Sequence, residues 1–156
     1  MSFYETIEIG RAEELGRHLF TADDIKRFAR AYDPQSFHTD EEAAKGSFLG
    51  GLCASGWHTA AVFMRLNVEH RRRQVDAYVA AGHPAPELGP SPGVRNLRWS
   101  RPVFAGDTVT YHQTVTAKRT SERRPGWGVV DTAVEARNQD GDLVFSMDGS
   151  IFVRTD

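Results

Sequence analysis

The chain has 156 residues, with 19 Lys and Arg against 21 Asp and Glu, a formal net charge of −2. That balance excludes the broad basic footprint of a nucleic-acid-binding domain. With 40% hydrophobic and 26% charged residues the sequence is too apolar for a disordered chain, and its length fits one domain over residues 1–156.

In chain order, the opening Met-Ser-Phe-Tyr-Glu-Thr-Ile-Glu lacks a basic segment followed by an apolar core, so no signal peptide is read. No later apolar run approaches the roughly 20 residues of a membrane span, and no membrane partner is expected. Glu14 to Phe20 reads as a strand. Thr21 is a good N-cap for a helix, and Phe20 with Ile25 fits a hydrophobic staple. Ile25, Phe28, Ala29 and Tyr32 recur at i, i+3, i+4 and i+7 and predict one buried stripe. Pro34 ends this helix at Asp33 by disfavouring the α conformation before it. Asp40 caps a short helix through Glu41 to Ala44, stopped by Gly46.

Two glycines, Gly50 and Gly51, and an N-cap serine, Ser55, then lead into a second helix. Cys53, the single cysteine, excludes an intramolecular disulfide and a multi-cysteine metal centre, and a cytoplasmic setting is the default. Trp57 to Val68 is apolar on almost every side, which predicts a buried helix. Arg71, Arg72 and Arg73 are placed at its C-terminal end, where the macrodipole favours cations, with a run-on to Ala81 and Gly82 as the stop. His83 to Gly93 is a Pro- and Gly-rich loop. Strands are predicted over Val94–Trp99, Thr108–Thr116, Trp127–Arg137 and Leu143–Arg154, with Asp140-Gly141 as a hairpin turn. Helices and strands are segregated, so the class is α+β: a long helix wrapped by an antiparallel sheet of about five strands. Such a sheet leaves an open edge, and a dimer is expected.

The densest reactive cluster is Asp33-Pro34-Gln35-Ser36-Phe37-His38-Thr39-Asp40. A compact turn brings Asp33 and His38, five apart, over one pocket. Histidine takes and returns a proton near neutrality, and a carboxylate beside it orients a water or holds the tautomer. The plainer reading of the same residues is a helix cap and a satisfied loop histidine. At Ala54-Ser55-Gly56, free N–H groups and the helix dipole favour developing negative charge, as in an oxyanion hole; simple capping is the alternative. Ser55 is not in a Gly-x-Ser-x-Gly elbow, and Cys53 reads as a small core residue. His58 is a core or pocket-wall residue. Arg95, Arg98 and Arg101 around Trp99 read as sheet surface before phosphate ligands. No His-Glu-x-x-His or paired-His spacing suggests a metal.

The stretch Phe28 to Ala44 resembles the hydratase motif of MaoC-like dehydratases, the (R)-specific enoyl-CoA hydratases. Gly51 to Ala61 is similar to the start of their central helix, and Pro92 to Trp99 with Arg101 to Thr108 is similar to their strand-and-turn signature. The resemblance implies a hot-dog fold, normally a dimer or dimer of dimers, and reversible hydration of a trans-2-enoyl-CoA to an (R)-3-hydroxyacyl-CoA. It places the catalytic aspartate and histidine on Asp33 and His38 and the oxyanion N–H on Gly56. Ser55, Phe37 and Trp57 are the expected substrate-binding residues. The acyl-CoA is substrate, and no cofactor or metal is implied. The sequence departs from the family's Asp-x-Asn-Pro-(Ile/Leu)-His: Gln35 replaces Asn, Ser36 replaces Pro, Phe37 replaces the aliphatic residue, and Tyr32 stands where glycine is usual. A thioesterase and a non-catalytic acyl-CoA-binding subunit are the rival readings, since one fold hosts many functions.

Overall fold

The computed structural model describes residues 1–156. Its elements are α1 (Phe3–Thr6), β1 (Ala12–Leu19), α2 (Ala22–Tyr32), α3 (Ser36–Thr39), α4 (Glu41–Lys45), α5 (Gly56–Ala80), β2 (Val94–Trp99), β3 (Thr108–Thr120), β4 (Trp127–Arg137) and β5 (Leu143–Arg154). The five strands form one antiparallel sheet in the order β1-β3-β4-β5-β2. Alternation along the strands sends Val109, Tyr111, Val134, Ala136, Phe145 and Met147 into the core, and the register shift opposite Ala136 and Arg137 lets the adjacent Val144 join them, against Val62, Phe63 and Leu66 of α5. Each fully buried side chain of this size stabilises the fold by about 1.5–3 kcal/mol. The Tyr111 hydroxyl donates to the Thr59 carbonyl at 2.9 Å, satisfying two buried polar groups where sheet meets helix. Gly16 sits at a bulge in β1 with φ +148, and a Cβ there would come within 3.0 Å of Leu66, so the strand passes the helix only as glycine.

The caps behave as the residue types dictate. Thr21 accepts from the Asp24 amide at 3.2 Å and Asp40 from the Ala43 amide at 2.9 Å. Phe20 and Ile25 are fully buried at the start of α2. The predicted stripe ends one turn early, because Tyr32 is 75% exposed. Its helical turn runs past the core, while Phe28 stacks on His58 at 4.6 Å.

Two further expectations are corrected on α5. Trp57, Met64, Val68 and Val79 are exposed, so the helix is not buried all round: the sheet of one chain covers one side of it. Arg71 to Arg73 lie mid-helix, so the dipole does not explain them. The polar second half is held by Val75 and Tyr78 against Phe3, Val130 and Val153, and by Arg73 reaching the Leu15 carbonyl at 3.5 Å. The helix stops at Gly82, whose φ of +93 suits glycine. The segment α1, capped by Ser2 and Glu5 in a capping box, was not expected, and β3 runs on to Thr120 beyond the predicted Thr116. The loop 83–93 lies along β5, with Gly89 N–H donating to the Phe152 carbonyl at 2.8 Å, Phe152 N–H to Pro90 at 3.3 Å and Arg154 N–H to Glu87 at 3.0 Å. No helix is long and apolar enough to cross a membrane.

Candidate active site

Pro34 turns the chain out of α2 at Asp33, and the next residues wind into α3, one helical turn where the sequence predicts only a compact turn. That turn buries His38 and aims its ring at the segment leading into α5. His38 Nδ1 lies 2.6 Å from the Cys53 carbonyl oxygen. Because a carbonyl only accepts, Nδ1 carries the hydrogen. The other ring nitrogen, Nε2, lies 3.4 Å from Asp33 Oδ2. The Cys53 amide in turn donates to the Phe37 carbonyl at 3.4 Å, so the motif and the start of α5 are tied twice.

Asp33 is held by two more donors. The Ser55 hydroxyl donates to Oδ2 at 2.6 Å, and the Gln35 side-chain amide donates to Oδ1 at 2.7 Å. Burial alone would raise the Asp33 pKa. The bonds from Ser55 and Gln35 and the charge on His38 outweigh it, so Asp33 titrates below its usual range. The neighbouring Cys53 thiol moves the other way, pushed up to about 11 by burial and by the Asp33 charge.

Gly56 is the first residue of α5, and its N–H has no partner within the chain. The helix dipole therefore ends at an open donor. The Trp99 ring covers Gly56 on one side, and its indole N–H donates to the Gly56 carbonyl at 2.8 Å. Trp57 meets Trp99 edge-on at 5.0 Å. Asp33, His38, Gly56, Phe37, Trp57 and Trp99 all line one cleft of about 410 Å³.

The structure thus brings together five of the six residues singled out from sequence. Ser55 is the exception: it is fully buried, and its hydroxyl is spent on Asp33 while accepting from the Trp57 amide at 3.3 Å. It supports the carboxylate and does not face the cleft. Trp99 and Gln35 were not picked as site residues. Trp99 carried one signal, its place among arginines, of which Arg101 also reaches the cleft while Arg95 bonds Ser150 at 3.4 Å. His58 faces a different cavity, beside His18 and Arg65.

The family model described as MaoC like domain matches residues 6–137. The chain belongs to the MaoC-like family. A MaoC-like dehydratase from Rhodospirillum rubrum is 35% identical, with a TM-score of 0.79 over 96% of this chain and 94% of that one. A monoamine oxidase regulatory protein from Archaeoglobus fulgius is 29% identical, with a TM-score of 0.73 over 98% and 94%. The protein YdeM of Bacillus subtilis (strain 168) is 26% identical over 132 residues, 85% of this chain and 84% of that one. The (R)-hydratase PhaJ1 of Pseudomonas aeruginosa, 22% identical at a TM-score of 0.67 over 98% of this chain and 86% of that one, shares the fold. This MaoC-like chain has the hot-dog arrangement of its relatives, a long helix against an antiparallel sheet of five strands.

Proposed function

We propose that this MaoC-like protein hydrates a trans-2-enoyl-CoA reversibly to the (R)-3-hydroxyacyl-CoA, acting as one unit over residues 1–156. The observation that carries the reading is that the close pair His38 Nε2 and Asp33 Oδ2 and the helix-opening Gly56, whose N–H has no partner in the chain, belong to residues lining one cleft. The family match supports the same reaction class.

In this scheme a water donates one O–H to His38 Nε2 and the other to Asp33. Nε2 takes the first proton as the water oxygen bonds to C3 of the substrate. The C2=C3 electron pair moves onto the thioester oxygen, where the Gly56 N–H and the helix dipole stabilise the enolate. When the enolate collapses, the proton on Nε2 passes to C2. The sum is addition of one water, with no metal or cofactor step. Phe37 and Trp57 on the cleft wall favour a small-to-medium acyl group. A second copy of the chain is the expected partner, covering the exposed Met64 and Val68 side of α5 or extending an open sheet edge. The test is Asp33→Asn and His38→Gln, followed by enoyl-thioester absorbance: each loses about 10²–10⁴-fold in rate. Near-wild-type hydration in both, or release of free CoA thiol in place of hydration, overturns the reading.

A further inference from the structure

Two side chains donate to the two oxygens of Asp33, one to each. The Ser55 hydroxyl has one hydrogen, and it goes to Oδ2 at 2.6 Å. Its remaining contact is the Trp57 amide at 3.3 Å, itself a donor. Ser55 is fully buried, so its hydrogen has no other acceptor in the structure. Gln35 presents its NH₂ to Oδ1 at 2.7 Å. A proton on either oxygen cancels the charge that makes these bonds strong, so a neutral Asp33 holds the Ser55 and Gln35 donors less tightly than the ionised form does. The charged and titratable groups around it are few. His38 lies at 3.4 Å. The Cys53 thiol is neutral, and Arg101 lies in the same cleft, paired with Asp142 at 3.5 Å.

We infer that Ser55 and Gln35 are positioning residues that occupy both oxygens of Asp33, so that Asp33 stays an anion throughout and His38 Nε2 alone exchanges the proton. This rests on the hydratase reading for its catalytic consequence, though not for the state of Asp33. It also gives a role to Gln35, which stands where the family pattern has Asn. Gln35 is one methylene longer than the usual Asn and still reaches the carboxylate. Ser55 links the first turn of α5 to Asp33 through one oxygen, so the helix start and the carboxylate polarise the same hydroxyl.

The experiment follows the carboxyl ¹³C resonance of Asp33, assigned by its loss in Asp33→Asn, across pH in wild type, Ser55→Ala, Ser55→Thr and Gln35→Met. The pH profile of hydration is measured on the same proteins. A hydrogen bond to a charged group is worth about 1.5–3 kcal/mol, so Ser55→Ala raises the Asp33 midpoint by about one to two units. The acid limb of kcat moves the same way, kcat drops about tenfold or more, and KM stays within about twofold. Ser55→Thr, which keeps the hydroxyl, restores both. Gln35→Met gives a smaller shift of the same sign. A midpoint and acid limb unmoved in both Ser55→Ala and Gln35→Met overturn the inference. Ser55→Ala also loses a helix cap; if it does not fold, the exposed Gln35→Met and the wild-type titration decide, and a wild-type midpoint at or above the ordinary carboxylate range overturns the inference. If wild type hydrates no enoyl thioester but the midpoint moves as stated, the reaction assignment falls and the positioning stands. Turnover with an unmoved midpoint sinks the positioning alone.

Discussion

The imidazole of His38 and the main chain of Cys53 meet at 2.6 Å, ring Nδ1 against carbonyl oxygen. The contact fixes the tautomer without a second side chain: the hydrogen sits on Nδ1 and the lone pair of neutral His38 on Nε2, toward Asp33. Nitrogen-15 spectra of the neutral ring should show the hydrogen on Nδ1 and the lone pair on Nε2. A neutral form protonated on Nε2 would remove the base from the cleft.

The approach of Trp99 to Gly56 gives a second prediction. A Cβ at Gly56 would stand 2.6 Å from Trp99 Nε1 and Cδ2. Gly56→Ala must therefore displace the indole, at about 1–3 kcal/mol of stability, with a change in tryptophan fluorescence. In a Trp99→Ala background the same substitution should be close to neutral in denaturant titrations. Full additivity of the two changes would contradict the contact.

Cys53 should be inert. Burial, with the Asp33 charge beside it, pushes its thiol up to about 11, so almost no thiolate exists near neutrality. A thiol-reactive dye added to the native protein at neutral pH should label it slowly, and added denaturant should bring labelling to completion. Fast native labelling would mean that the segment between α4 and α5 opens.

His58 makes the fold acid-sensitive. Burial, then the neighbouring His18, press it down to about 4 from 6.5. Asp24, Arg27 and Arg65 are the other charged groups on its cavity. Because the folded pKa is the lower one, the unfolded chain binds more protons between the two values. Stability is therefore full above about pH 6.5 and falls as pH drops toward about 4. The loss is of order 1–2 kcal/mol after screening at the cavity mouth. His58→Phe keeps an aromatic ring over Phe28 and should flatten this slope in chemical denaturation. An unchanged slope assigns the acid sensitivity elsewhere.

Much of this was legible in the residues. The turn residues and β-branched alternation located Val94–Trp99, Trp127–Arg137 and Leu143–Arg154 to the residue, because local chemistry sets those limits. Asp33 and His38 were legible as a pair for the same reason, five positions apart across a proline. What escaped depends on distant contacts. Nothing in the sequence says that Ser55 donates to a carboxylate 22 positions away. The second half of α5 looks like a solvated tail until Tyr78 meets Phe3 at 5.3 Å. Tyr32 carries the right spacing for burial, but the core ends before its turn. The Ser2–Glu5 capping box was a readable signal for α1 that the apolar periodicity does not contain.

The loop that runs beside β5 has a consequence for solubility. Glu87, Gly89 and Pro90 occupy the backbone groups of Phe152 and Arg154 that β2 is too short to reach. A stray extended peptide therefore finds no template along that stretch, and the hazard of unwanted strand addition is confined to the outer rims of β1 and β2. Eleven residues rich in proline and glycine act there as a fence.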